Sequence, residues 1–191
     1  MTALAVAQAF NFGVLNQEVH SSLVKNMGKI SIATGVPAKY IYTADKEKGG
    51  VCDTQETRWI KKCRQYRELG IGGLILTGTE FVHSPEEKMM VMGGKLIRNF
   101  IDARLVIVQE LLEEMKSGEV DDSDVLLIPN FFIAKKGSSI PDWQVNLLQG
   151  LMIKRLCQNN ITVLYVQDME QLKKSYGASL HSHLVNNYTI F

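Results

Sequence analysis

Short, continuously apolar runs alternate with longer stretches of helical spacing from Gly72 to the end of the chain. The runs are GGLILTG, ARLVIV, DVLLI and ITVLYV, and NYTIF closes the sequence. A strand that is apolar along its whole length is buried on both faces, as in a parallel sheet that helices cover on both sides. The pattern therefore predicts a three-layer α/β fold with a parallel sheet and helices on both faces.

The stretches between these runs carry the start and stop signals of helices. We expect helices at about 85–100, 109–116, 142–159 and 169–186. Upstream, Thr54 suits the N-cap of a helix that stops before Gly70, and the Gly and Pro residues at 35–50 indicate a surface connector. This organisation predicts an N-terminal helical extension at 1–34 and an α/β core at 35–191 without a separate lid domain.

The size and charge of the chain narrow the classes of function. Its 191 residues suffice for one domain, and Lys+Arg 21 against Asp+Glu 20 gives a net charge of +1. This small net charge does not attract nucleic acid or a membrane surface to the molecule as a whole. Any contact with either must therefore come from a local patch of positive side chains. The three cysteines form no CxxC pair, and no run reaches the roughly 18 apolar residues of a membrane span. We expect a cytoplasmic protein without a metal site or a disulfide framework.

In a parallel sheet of this kind, ligands bind at the carboxyl ends of the strands. Six segments resemble, in their order, the ATPase domain of the DnaC/IstB group of helicase loaders and transposition helpers, within the P-loop AAA+ class. The resemblance covers roughly residues 34–191 and rests on GVPAKY, GGLILTG, LIRNFIDARLVIVQELLEEMKSG, DVLLI, PDWQVNLLQGLMIKRL and ITVLYVQDMEQLKKSYGASLHSHL. It implies a P-loop NTPase (RecA/AAA+-like) sheet and an ATP-driven ring or spiral that handles a replicative helicase or transposase on single-stranded DNA.

The phosphate loop of that family is altered in this chain. Gly78 matches its first glycine, but His83, Ser84 and Pro85 stand where the resemblance places the second glycine, the lysine and the hydroxyl residue. Glycines let backbone N–H groups surround phosphates, and proline has no N–H to offer. Ser84, Pro85 and the two glutamates that follow instead predict a capped helix start, whose carboxylates repel an added anion.

Two further parts of the ATPase machinery are also replaced. The resemblance implies an acidic pair directly after the third strand, where this chain has Pro129 and Asn130, neither of which carries a carboxylate. It also implies an arginine finger near the end of the chain, where His183 lacks the permanent forked charge of arginine.

Other polar residues flank the third and fourth strands. Gln167 and Asp168 end the fourth strand where the family has a sensor residue, and Asp168 also suits the N-cap of the next helix. The acidic run 121–124 precedes the third strand and so lies at the opposite edge of the sheet, where we interpret it as a solvated turn.

The joint loss of lysine, acidic pair and arginine predicts a domain that no longer hydrolyses ATP and does not bind ATP and Mg²⁺ in the usual way. We expect a protein-interaction module in DNA replication or in phage, transposon or plasmid biology. Its partner would be a replicative helicase or an active AAA+ relative, in a homo- or hetero-oligomer. Two alternatives stay open: an ATPase that uses unusual residues such as Asp168 and Lys88, and a protein that binds single-stranded nucleic acid.

The last alternative rests on a local basic patch. Basic side chains combined with aromatic ones are typical of single-strand contacts. The candidates are Arg58, Trp59, Lys61, Lys62, Arg64 and Arg67 in the predicted helix at 54–69, and Lys135 and Lys136 after the third strand. We favour the alternative that the same helix is amphipathic, with Trp59 against the sheet and Lys61, Lys62 and Arg64 in water. Lys154, Arg155, Lys173 and Lys174 are interpreted as ordinary helix surface.

Overall fold

A computed structural model describes residues 17–42, 51–52, 54–78, 83–119, 121–132 and 140–191 of the chain. The candidates Lys135 and Lys136, the middle of the phosphate-loop equivalent and residues 1–16 of the predicted extension lie outside these ranges. Within them, none of the helices is both long and apolar enough to cross a membrane.

The described strands form one parallel sheet, as the apolar runs predict. They are β1 (Gly73–Thr77), β2 (Ala103–Leu105), β3 (Val125–Ile128), β4 (Ile161–Val166) and β5 (Tyr188–Ile190). Their order across the sheet is β2-β3-β4-β1-β5, and every neighbouring pair is parallel. The register pairs Leu74 with Val163 and Leu127 with Val163, which places β4 at the centre between β3 and β1. This is an α/β sheet of the P-loop NTPase type, and the predicted fold class is confirmed.

Helices cover both faces of this sheet. They are α1 (Gln17–Thr34), α2 (Ala38–Tyr42), α3 (Thr54–Glu68), α4 (Pro85–Arg98), α5 (Val108–Lys116), α6 (Asp142–Cys157) and α7 (Met169–Asn187). One hydrophobic core joins α1–α4 to the sheet, and a second core joins α5–α7 to its other face. Alternate strand residues serve the two cores: Leu74 and Leu76 point to the first and Ile75 to the second, as the side-chain period of a strand requires.

Two local expectations are corrected, and the predicted helical segment at 169–186 is described in more detail. The predicted surface connector is partly internal, because Val36, Tyr40 and Ile41 are buried and α2 packs against α4. The second apolar run forms a strand only as far as Leu105, since Val108 already begins α5. The long helix at the end of the chain bends at Gly177, whose φ of 84° interrupts α7.

Candidate functional site

The carboxyl ends of β1 and β4 lie next to each other in the middle of the sheet. The connection that leaves β1 runs past β4 toward β2, and the connection that leaves β4 runs past β1 toward β5, so the chain segments after both strands meet at this edge of the sheet. Gly78 marks this point, since its N–H donates to the Gln167 carbonyl at 3.3 Å. The Tyr165 hydroxyl donates to the Gly78 carbonyl at 2.7 Å. The first glycine of the phosphate-loop equivalent and the sensor equivalent Gln167 are therefore neighbours.

The helix that follows the phosphate-loop equivalent satisfies its own N-terminus. Ser84 is the N-cap of α4, its Oγ accepts from the Glu87 N–H at 3.2 Å, and Pro85 occupies the first turn. The Glu87 carboxylate lies 3.2 Å from His83 Nδ1. Of the N–H groups that would meet a phosphate, one is used by Ser84 and one is replaced by the proline ring. At this helix end, the residues that the structure describes do not fit a nucleotide phosphate.

Acidic side chains add an electrostatic barrier at the same helix end. Glu86 and Glu87 lie in the first turn of α4, where they interact favourably with the positive end of the helix dipole. Burial, and in addition the charge of Glu86, raise the pKa of Tyr165 above its usual value. An incoming phosphate would meet negative charge in place of free N–H groups.

The residues of the proposed non-standard ATPase are engaged elsewhere. Lys88 Nζ lies 2.7 Å from the Glu56 Oε1, and the Glu56 side chain is only 2% exposed. Asp168 caps α7, because its carboxylate accepts from the N–H groups of Glu170 at 3.1 Å and Gln171 at 3.3 Å. The N-cap interpretation of Asp168 is confirmed, and Lys88 is held in an ion pair with α3.

The positions at which the resemblance implies an acidic pair also have structural roles. Pro129 is buried, whereas Asn130 is exposed and its Oδ1 accepts from the Phe132 N–H at 3.0 Å, a local turn that follows β3. Among the described residues, no group of three His, Cys, Asp or Glu side chains is arranged to hold a metal ion.

His183, at the position of the arginine finger, faces the interior of its own chain. Its Nε2 is buried and has no hydrogen-bond partner among the described residues, and its ring lies edge-on to Tyr188 with centroids 6.4 Å apart. Burial lowers the pKa of His183 below its usual value of 6.5. With its Nε2 buried in its own chain, this imidazole lacks the permanent, forked and outward-facing charge that an arginine finger presents to a neighbouring subunit.

The basic helix α3 divides sharply into two faces. Trp59, Ile60 and Cys63 are buried against the sheet, while Arg58, Lys61, Lys62 and Arg64 are exposed. The Trp59 ring is 1% exposed and is thereby removed from the base-stacking candidates. Arg67 is also engaged within the chain, since it pairs with Asp124 at 2.7 Å and donates to the Asn159 carbonyl at 3.0 Å.

An ionic network at the amino edge of the sheet was missed by the sequence interpretation. Arg155, predicted to be surface, is fully buried and donates to Asp121 Oδ1 at 2.8 Å and Thr162 Oγ1 at 3.0 Å. Asp121, predicted to be in a solvated turn, is buried and also pairs with Arg104. Arg104 in turn pairs with Glu114.

A sequence signal for Arg155 did exist. It falls on the same helical stripe as the three buried residues of α6, at spacings of three, four and seven, namely Leu148, Leu151 and Met152. A charged residue on an apolar stripe requires a buried partner of opposite charge, and the acidic run before β3 was available.

Comparisons with known proteins place this fold among replication proteins. The chain is similar to the structure of DnaI, with a TM-score of 0.56 and 15% identity over 83% of this chain and 94% of that one. It is also similar to the DnaC helicase loader, with a TM-score of 0.50 and 12% identity over 73% and 90% of the two chains. A DNA replication initiation factor matches with a TM-score of 0.53 and 10% identity over 73% of this chain.

Coverage differs among these similar structures. The chain spans 46% of the initiation factor and 51% of the AMPPCP-bound DnaA from Aquifex aeolicus, to which it is 11% identical with a TM-score of 0.54. No family model matches the sequence. No curated protein matches it either. At these identities the similarity establishes the AAA+ fold that the DnaC/IstB resemblance implies.

Proposed function

We propose that this chain is a catalytically inactive AAA+-like domain that acts as a protein-interaction module in DNA replication or in the biology of a mobile element. The observation that carries the proposal is the start of α4, where Ser84, Pro85 and Glu87 satisfy the helix end that a nucleotide phosphate requires. A helix end already capped and surrounded by carboxylates has no remaining function in phosphate binding.

The other positions of the ATPase machinery support the same proposal. Asn130 forms a turn, Asp168 caps a helix and His183 is directed into its own chain. Each of these side chains has a structural role that does not need a nucleotide. The changes at all of these positions together support a domain whose function lies in the surfaces that it offers to other proteins.

The proposed partner is a replicative helicase or an active AAA+ relative. DnaI and the DnaC helicase loader share the fold, and the name of the second describes its action on a helicase. The exposed apolar side chains of α1, Val24 and Ile32, offer a contact outside the α/β core. The module would bind either as a subunit of an oligomer or as a decoy that inhibits the active protein.

Affinity capture from a host extract tests this role. We expect the tagged chain to retain a helicase or AAA+ protein equally in Mg-ATP and in EDTA, because its binding surface does not depend on a nucleotide. Val24→Glu/Ile32→Glu should weaken capture, and Ser21→Glu/Ser22→Glu, which adds the same charge to exposed positions of α1, is the matched control. Retention that requires ATP would contradict the proposal.

The alternative of an unusual ATPase has a direct test of its own. It requires Lys88 to leave Glu56 and Asp168 to leave the start of α7. If the chain hydrolyses ATP and both Lys88→Met and Asp168→Asn abolish hydrolysis, the inactive interpretation is wrong.

A further inference from the structure

The solvent face of α3 carries a compact group of positive charges. Arg58, Lys61 and Lys62 lie three and four positions apart, so they project from one side of the helix, and Arg64 lies at its margin. The four side chains are spread over about 9 Å of helix axis, given a rise of about 1.5 Å per residue. We call this set the α3 cationic face. It is carried by a helix that is anchored to the sheet through Trp59 and Cys63.

These charges are not neutralised by the part of the chain that the structure describes. The ion pairs of α3 there use Arg67 and Glu56, which lie outside the face. Arg64 donates to the Asn99 carbonyl at 3.0 Å, a neutral acceptor that orients the guanidinium and leaves its charge in place. Glu68, at the end of the helix, is the one exposed carboxylate of α3.

The α3 cationic face lacks the features of a protein-binding surface. Stable protein interfaces are organised around buried aromatic or aliphatic anchors with charges at the rim. Here the aromatic and aliphatic residues Trp59 and Ile60 point inward, and the outward positions between the cations are polar, such as Gln65. A surface of positive charge without an apolar centre suits a regular polyanion, whose binding is driven by the release of counterions.

The inward position of Trp59 also determines which parts of a nucleic acid this face can recognise. Binding that prefers single strands depends on aromatic platforms for the bases. With the Trp59 ring 1% exposed, this helix offers no stacking surface there, and its long cationic side chains reach phosphates only.

We propose that the α3 cationic face binds the phosphate backbone of nucleic acid, without selecting base sequence and without preferring single over double strands. This contact goes beyond the docking role proposed above and does not depend on it. It replaces the single-strand hypothesis, in which Trp59 supplied stacking. It would hold the module on DNA while a separate surface engages its protein partner.

Fluorescence anisotropy with the full chain tests this proposal. The probes are a mixed-sequence 20-mer, an abasic strand of the same length and a 20-base-pair duplex, each at several salt concentrations between 50 and 200 mM. We expect the three affinities to lie within about fivefold of one another at 50 mM salt. With up to four phosphate contacts, log affinity should fall against log salt with a slope of about −3.6 for the duplex and about −2.8 for single strands.

Two triple variants with the same change in net charge test whether the nucleic acid binds at the α3 cationic face. Arg58→Glu/Lys61→Glu/Lys62→Glu reverses the face and should weaken binding to all three probes by more than tenfold. Lys154→Glu/Lys173→Glu/Lys174→Glu makes the same change in net charge at exposed positions of α6 and α7 and should weaken it by less than about threefold. Because a reversal can disturb α3, the milder Lys61→Gln/Lys62→Gln should give an intermediate loss at an unchanged melting temperature.

Several outcomes would overturn the proposal. These are an absence of nucleic-acid binding at 50 mM salt, equal losses in the two triple variants, or a more than tenfold preference for the mixed-sequence strand over the abasic one. Binding of the chain to anionic phosphatidylserine vesicles but not to nucleic acid would assign the face to a membrane surface instead. Capture of the helicase without any DNA binding leaves the docking role standing and removes only this inference.

Discussion

Arg155 is a fully buried charge at the amino edge of the sheet. Its guanidinium donates to Asp121 and Thr162 and to the carbonyls of Ser123 and Ile161, which ties α6 to the beginnings of β3 and β4. Burial lowers the pKa of Arg155, although the charge of Asp121 opposes the shift. If Arg155 were removed, Asp121 would lose one of its two arginine partners and the Ser123 and Ile161 carbonyls would each lose a hydrogen-bond donor.

We therefore expect Arg155→Ala to be strongly destabilising. Removing one partner of a buried ion pair typically costs about 3–5 kcal/mol. The matched control is Lys154→Ala, an exposed neighbour on the same helix, which should change the free energy of unfolding by less than about 0.5 kcal/mol. Urea unfolding of the two variants measures both, and equal effects would show that the network contributes little.

His183 should make stability depend on pH in the weakly acidic range. Burial lowers its pKa in the folded state below 6.5, so the unfolded chain binds more protons there and the free energy of unfolding falls as pH drops below about 6.5. The loss stops below the folded-state pKa. We expect His183→Gln to flatten the profile between pH 8 and pH 5. A profile that keeps its slope without His183 would contradict this assignment.

At the scale of elements, α4 depends on close contact with the segment before it. A Cβ at Gly94 would lie 2.0 Å from the Tyr40 carbonyl oxygen, so α2 can approach α4 only because this position has no side chain. Gly150 is also inside a helix, α6, but nothing lies within 4 Å of a Cβ placed there.

These two glycines form a matched pair for one substitution. Gly94→Ala should destabilise the fold by about 2 kcal/mol or more through steric overlap. Gly150→Ala should stabilise it by up to about 1 kcal/mol, because alanine is the better helix former. Thermal or urea unfolding checks both signs, and a stable Gly94→Ala would mean that α2 is only loosely placed.

The elements that sequence patterning predicted well are those defined by local chemistry. β4 was expected at 161–166 and runs from Ile161 to Val166, since its six residues form one apolar run. The start of α4 was predicted from Ser84, whose Oγ accepts from an N–H of its own first turn, and α3 begins at Thr54, as predicted to within one residue.

The residues that were misjudged depend on contacts distant in sequence, since Arg155 meets Asp121 from 34 positions away. Helical spacing favoured an amphipathic α3 with Trp59 against the sheet, and the burial of Trp59 confirms that interpretation. The positions of the lost ATPase motifs came from the family resemblance, and the local caps formed by Ser84 and Asp168 came from the residues themselves.

At the scale of the whole molecule, the two opposite edges of the sheet carry different kinds of polar contacts. The carboxyl edge, where P-loop proteins hold nucleotide, carries a self-capped helix and the Tyr165–Gly78 hydrogen bond. The amino edge carries the Arg155 network and an open acidic cleft of about 250 Å³ between α1, β2 and the residues before β3. The sheet is of the AAA+ type, and the start of α4 at its carboxyl edge is the basis of our proposal that the domain does not bind nucleotide.

Thermal unfolding with and without millimolar Mg-ATP tests the loss of nucleotide binding most directly. A site filled at 100 times its dissociation constant adds about 2.7 kcal/mol, which raises the melting temperature of a chain of this size by about 5–10 °C. We predict no rise with Mg-ATP beyond that seen with Mg²⁺ alone. A reproducible rise of several degrees that Mg²⁺ alone does not produce would contradict the account of an inactive AAA+ domain.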